Sequence, residues 1–221
     1  FPEPSVKTDR VNVHTWSLPL SDIGGDLYDY VMFRDDRIMF FVADVSGHSI
    51  SAALYTAIVK MVFRNALQKT ADPGELLTIM NQELSGNIPI ESFVTAFCGM
   101  FDPNEPVLLY SNAGHPKPYY LQSGGYIQLE GNDSFLGPIA DAQYETHRVP
   151  MEGNASILVY TDGILDVVDG SDKPVGQAML EDVLTTRGRT PAEKFKMIQK
   201  YLTGGDVVVS DDCTMLLVDL A

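Results

Sequence analysis

Asp26-Leu27-Tyr28-Asp29-Tyr30-Val31-Met32-Phe33-Arg34-Asp35-Asp36-Arg37-Ile38-Met39-Phe40-Phe41-Val42-Ala43-Asp44-Val45 is two apolar runs around a charged tetrapeptide. Asp26 to Phe33 and Ile38 to Val45 read as strands, and Arg34-Asp35-Asp36-Arg37 reads as the turn of a hairpin. An aspartate stands near the outer end of each run. Strand side chains alternate faces, so the length of the loop decides whether the two carboxylates meet. A two- or four-residue loop centred between Asp35 and Asp36 puts Asp26 opposite Val45. A three-residue loop can put it opposite Asp44, with both carboxylates on one face. A shared cation site therefore predicts an odd loop, a bulge or a strong end twist.

Outward from the hairpin, Val11 to Trp16 alternates like a half-buried strand. From about His48 to Leu67 the period changes. Leu54, Ile58, Met61, Val62 and Ala66 mark a long amphipathic helix. Asp72-Pro73-Gly74-Glu75 starts a second helix, with Asp72 as cap, Pro73 at the first position and Glu75 where a capping box wants a carboxylate. Thr190-Pro191-Ala192-Glu193 repeats that device before a helix with Phe195, Ile198 and Leu202 on one face, and Gly204-Gly205 ends it. Strands are expected at 93–101, 107–111, 117–122, 144–149, 157–160 and 213–220, and a short helix near 177–186. Helices fall in pairs rather than after each strand, which points to α+β with mostly antiparallel sheets covered by helices.

The 221 residues suit one large domain by default, with two small ones as the alternative, and a core that needs no staples. Asp and Glu number 30 against 15 Lys and Arg, a net charge of −15, which disfavours nucleic acid and anionic lipid as general partners. No apolar run is long enough to span a membrane. Cys98 and Cys213 stand alone in apolar contexts, as buried thiols of a reducing, cytoplasmic compartment would. Phe1-Pro2-Glu3-Pro4 reads as a linker remnant over residues 1–9, which leaves 10–221 as one domain of a longer protein.

Asp26, Asp44, Asp162 and Asp211 all sit where an apolar run meets a loop. Gly25, Ser46-Gly47 and Gly163 stand beside three of them. Taken singly, each is an ordinary turn or cap aspartate. Four carboxylates gathered at one sheet end would repel unless protonated or neutralised, and hard oxygen ligands favour magnesium, manganese or calcium over zinc.

Five segments in order carry a resemblance. They are Ile23-Gly24-Gly25-Asp26-Leu27-Tyr28-Asp29, Ala43-Asp44-Val45-Ser46-Gly47-His48, Ser111-Asn112-Ala113-Gly114-His115-Pro116, Tyr160-Thr161-Asp162-Gly163 and Ser210-Asp211-Asp212-Cys213-Thr214. Together they resemble the metal-dependent 2C-type protein phosphatases, in the bacterial branch of the sporulation stage II E phosphatase and the regulators of sigma factors. The resemblance implies a sandwich of two antiparallel sheets flanked by helices on both faces, with residues 10–221 as the phosphatase domain. It implies two divalent ions, manganese or magnesium. Asp44 would bridge them, the Val45 carbonyl and Asp26 would serve one, and Asp162 and Asp211 the other, with Asp212 behind them or merely exposed in a turn.

The implied activity is hydrolysis of phosphoserine or phosphothreonine by an activated water, without a phosphoenzyme. The implied substrate is a phosphorylated STAS-type anti-sigma factor antagonist, and the implied neighbour in the full chain is a sensor or receiver domain. Many relatives carry a histidine two residues after the bridging aspartate. Ser46 stands there, so the general acid is unassigned; His115 is read as structural, and His48, at the start of the long helix, is left between packing and chemistry. The alternative is a non-catalytic partner-switching module that binds a phosphoprotein. A nucleotide cyclase, suggested by Gly24-Gly25-Asp26, fails because Leu27 replaces an acidic residue.

Overall fold

The computed structural model describes residues 2–220 apart from 4, 9, 22, 23, 48, 49, 90, 91, 123, 124, 132, 133 and 152. Ile23 and the start of the first helix at His48, both used in the sequence reading, lie outside the described residues. In chain order the strands and helices are β1 (Ser5–Lys7), β2 (Val11–Leu18), β3 (Asp26–Met32), β4 (Ile38–Val45), α1 (Ile50–Ala66), α2 (Pro73–Leu84), β5 (Val94–Asp102), β6 (Val107–Ala113), β7 (Tyr119–Gln122), β8 (Gly125–Gln128), β9 (His147–Pro150), β10 (Ala155–Tyr160), β11 (Val168–Asp169), α3 (Gly176–Thr185), α4 (Pro191–Thr203), β12 (Val207–Val208) and β13 (Cys213–Leu220). A single 3-10 turn, Asp162–Ile164, follows β10. No helix among the described residues is long and apolar enough to cross a membrane.

The chain divides into two compact units. The first comprises Phe1–Pro2, Ile23–Lys117 and Glu130–Glu152, and its antiparallel sheet has the order β3-β4-β5-β6-β9. Helices α1 and α2 bury Val59, Val62, Phe63, Leu76, Leu77 and Met80 with Met39, Phe41, Ala43 and Val45 of β4. The rings of Phe41 and Phe63 stack 4.5 Å apart. β4 is buried on its other face too, at Ile38, Phe40 and Val42, which is why it reads as a continuous apolar run.

The α1 stripe differs from the one expected. Leu54 and Met61 face solvent at 65% and 59% exposure, while Val59, Val62, Phe63 and Ala66 are buried. This helix is apolar nearly all round, so its sequence offers two stripes. The charged residues choose between them. Lys60 and Arg64 must reach Asp29, a fully buried carboxylate on the helix-facing side of β3. Arg64 grips it with Nε at 2.7 Å from Oδ2 and a terminal nitrogen at 2.6 Å from Oδ1, and Lys60 Nζ lies 3.3 Å from Oδ2.

The second unit comprises Glu3–Asp22, Pro118–Leu129 and Gly153–Ala221, with the antiparallel sheet β1-β2-β13-β10-β7-β8 and the small ribbon β11-β12. Helices α3 and α4 bury Leu180, Phe195, Ile198 and Leu202 against Leu158, Tyr160, Met215 and Leu217. Residues 5–7, inside the stretch read as a linker, pair as β1 with β2. β8 and the two-residue strands β11 and β12 are additions to the expected strands. A strand is expected from Tyr144, whereas β9 starts at His147. Tyr144 is buried instead, with its amide donating to Thr78 Oγ1 and its hydroxyl to the Phe135 carbonyl.

Caps fix the helix starts. The reciprocal box at α4 is complete: Glu193 N–H donates to Thr190 Oγ1, and Thr190 N–H donates to the Glu193 carboxylate at 2.8 Å. At α2 only half forms. Asp72 accepts the Glu75 amide at 2.9 Å, but the Glu75 carboxylate takes the Thr70 hydroxyl instead of the Asp72 amide.

Candidate metal centre

The charged turn has three residues. Phe33 N–H donates to the Arg37 carbonyl at 2.8 Å, which leaves Arg34, Asp35 and Asp36 as the loop. Asp36 takes φ of 65°, the left-handed residue that ends such a loop. Asp35 pairs with Arg37 at 2.9 Å, and the Arg37 guanidinium lies over the Phe33 ring. From this odd loop the register runs Met32 opposite Ile38 through to Asp26 opposite Asp44. Directly opposed residues share a sheet face. The two carboxylates therefore lie on the face away from α1 and α2, with Asp26 buried at 7% exposure and Asp44 half-buried.

Gly25 keeps open the space beside them. A Cβ on it would lie 2.7 Å from the Val45 carbonyl oxygen, 3.2 Å from that of Gly47 and 3.3 Å from Asp44 Oδ1. Three oxygens thus converge on a position that any side chain would fill. One hydrogen bond and one left-handed glycine shape this corner: Val45 N–H donates to the Gly25 carbonyl at 3.1 Å, and Gly47 sits at φ of 95°. Like charges directly opposite on a sheet repel. A hard cation relieves that repulsion, and carboxylate plus carbonyl oxygen is the donor set magnesium, manganese and calcium take. The residues present fit such an ion.

Ser46 extends the sheet by one pair. Its amide donates to the Phe93 carbonyl and its hydroxyl accepts the Phe93 amide, each at 3.0 Å. His115 is 4% exposed, with Nδ1 2.9 Å from Thr95 Oγ1, and its backbone closes a turn on the Asn112 side chain. That is the structural setting expected of it. His14 lies tilted against Phe195, and His147 stacks on Tyr110.

The second unit places Asp162 and Asp211 together. Register Tyr160 opposite Met215 continues past β10, where Thr161 N–H donates to the Thr214 carbonyl and Thr214 N–H donates to Thr161 Oγ1. Gly163 then packs against the Asp211–Asp212 backbone, its missing Cβ replaced by the Asp212 carbonyl oxygen. Asp162 is exposed by surface area, yet its carboxyl is crowded by protein. Desolvation, then the charges of Asp211 and Asp166, hold it above the usual carboxylate range. Here too a cation would lower the cost of ionising both groups.

Asp212 corrects one expectation: it is not an exposed turn residue. At 5% exposure it accepts the Leu20 amide at 2.7 Å and so ties the Asp211 loop to the end of β2. Its partner lies 192 residues away, and no local signal announces it. Among the described residues no three or more His, Cys, Asp or Glu side chains are gathered as a metal cage. The carboxylates come as one pair in each unit.

The phosphoserine phosphatase RsbP of Bacillus subtilis is 26% identical over 228 residues, spanning 99% of this chain and 54% of that protein. The chain thus covers about half the length of this curated relative. The SiaA-PP2C domain of Pseudomonas aeruginosa superposes with a TM-score of 0.82 at 23% identity, over 93% of this chain and 83% of that one. RsbX, solved in complex with magnesium, superposes at 0.76 with 18% identity over 98% of each chain. These likenesses show an α+β fold of the PP2C type. Residues 34–221, from the hairpin turn to the end, match the family model of Stage II sporulation protein E, and the chain belongs to that family.

Proposed function

We propose that this chain is a divalent-metal-dependent phosphatase acting on phosphoserine or phosphothreonine of a regulatory protein. The observation that carries the reading is the register that sets Asp26 opposite Asp44 beside the oxygen-lined gap at Gly25. Support comes from the phosphoserine phosphatase name of the RsbP relative and from the magnesium in the RsbX structure. Asp26, Asp44 and the Val45 carbonyl would hold one cation, and Asp162 with Asp211 would hold a second, manganese or magnesium. Bound divalent ions supply Lewis acidity toward phosphoryl oxygens and make water acidic enough to act as nucleophile.

The chain's own part is positioning. Gly25 leaves the gap open, Asp212 and Gly163 fix the Asp211 loop, and Ser46 pins the end of β4. No cysteine route competes. Cys98 and Cys213 are both buried, and burial pushes the Cys98 thiol far up, away from a ready thiolate. The substrate in this reading is a phosphorylated STAS-type anti-sigma factor antagonist in the cytoplasm, with a sensor or receiver domain in the longer protein controlling access.

An aryl phosphate should be hydrolysed in the presence of manganese and not after chelation. Asp162→Asn should lose most turnover while keeping the same far-ultraviolet circular dichroism. The folded Asp44→Asn variant should retain a phosphoprotein from a lysate, whose phosphosite mass spectrometry then identifies. Manganese-independent hydrolysis, or an Asp162→Asn variant as active as the parent, would refute the reading.

A further inference from the structure

A groove of about 940 Å³ lies in the second unit, between one end of its six-stranded sheet and the loop joining α3 to α4. Asn154 and Ser156 at the start of β10, and Asp219 near the end of β13, form its sheet wall. Asp162 and Asp211 lie at the other end of these strands. Residues 157–161 intervene between Ser156 and Asp162, so the groove and those carboxylates are separated by roughly 20 Å. The opposite wall carries Arg187, Arg189 and Lys194.

Positive charge is concentrated here. Arg187, Arg189, Lys194, Lys196 and Lys200 fall within residues 187–203, where Glu193 is the one acid, in a chain whose net charge is −15. The cations differ in how far they are committed. Arg189 pairs with Glu193 at 3.2 Å. Lys194 Nζ donates to the Leu184 carbonyl at the end of α3, and burial lowers its pKa. Arg187 is exposed and has no ion pair among the described residues. The α4 N-terminus is satisfied by its own capping box, so recognition of an anion falls to these side chains. Asp219 sits on the far wall with its carboxylate accepting the Ser156 hydroxyl at 2.7 Å, which directs incoming negative charge to the helical side.

We propose that this groove docks an acidic polypeptide segment of a partner protein. Carboxylates would meet Arg187, Arg189 and Lys194, while apolar side chains would lie on Leu121, Tyr126 and Pro191, which line the same space. Its concave shape and mixed lining favour a peptide over a flat lipid surface, and its size favours a peptide over a bare inorganic anion. Because the arginines are exposed, the contact is electrostatically steered and salt-sensitive.

The test is fluorescence anisotropy of this chain with a short fluorescein-labelled peptide of alternating glutamate and leucine. A lysine and leucine peptide, pyrophosphate and vesicles of phosphatidylserine serve as competitors. Saturable binding is expected, weakened about tenfold by molar salt and by Arg187→Ala with Arg189→Ala, and largely kept by Arg187→Lys. Asp162→Asn should leave it unchanged. A thermal melt confirms that each variant is folded. Equal binding of the lysine peptide, no effect of the double substitution, or displacement by vesicles or pyrophosphate as readily as by unlabelled acidic peptide would overturn the docking site.

Discussion

Gly25 illustrates how one absent side chain defines a chemical position. Its neighbours are oxygens of Val45, Gly47 and Asp44, so any Cβ there must displace backbone or fill the gap. Gly25→Ala is expected to lower manganese affinity by at least about tenfold, a change worth ~1.4 kcal/mol, when followed by isothermal titration. Unaltered affinity would show that the gap holds no ion. Asp162 yields a pH prediction. Its folded pKa is raised above the unfolded value, so the folded state holds the proton more tightly. The contribution of this one group to metal-free stability is therefore fully present below the ordinary carboxylate range, is lost as pH climbs through the raised value, and stays lost above it. Asp162→Asn should remove part of that slope and raise the melting temperature of the chelated protein at neutral pH. An unchanged slope would mean that the carboxyl titrates normally. Residue positions were the most legible layer: all four aspartates stand at strand ends, as their flanking apolar runs suggest. Asp212 was not, because its partner Leu20 is distant in sequence.

At the level of elements, strands with long apolar runs and helices with caps were readable, since both signals are local. β11 and β12, two residues each, are too short to show a period. The buried face of α1 was misread because apolar residues surround it, and the choice is made by the Asp29 contacts across the sheet. That cluster predicts an asymmetry. Arg64→Ala leaves a fully buried carboxylate with Lys60 as its remaining cation at 3.3 Å. Asp29→Asn leaves two cations that can turn to water, since Arg64 is already 44% exposed. The arginine substitution should therefore cost more, about 2–3 kcal/mol, discounted from the ~3–5 kcal/mol of a fully buried pair. Urea unfolding of both variants checks the order, and a costlier asparagine would contradict it.

For the molecule as a whole, the α+β class followed from the pairing of helices, but the division into two compact units did not. The chain passes between them five times, at residues 2–3, 22–23, 117–118, 129–130 and 152–153, and no change of composition marks the last three of those points. With a like-charged pair of carboxylates in each unit, divalent ions should act as folding ligands. Manganese in hundredfold excess over its Kd should add ~2.7 kcal/mol per site at neutral pH, and chelation should remove it. Calorimetric melts with and without chelator measure this, and coincident melts would exclude tight binding. The turn at Arg34 to Asp36 carries a constraint of another kind. A slip of the pairing by one residue would set Asp26 opposite Val45 and turn one carboxylate to the other sheet face, so a length change keeps the aspartates opposed only where the loop itself absorbs it. Homologous chains should accordingly vary in length inside the turn, with indels within either flanking strand confined to lineages that have also lost the acid at position 26 or 44.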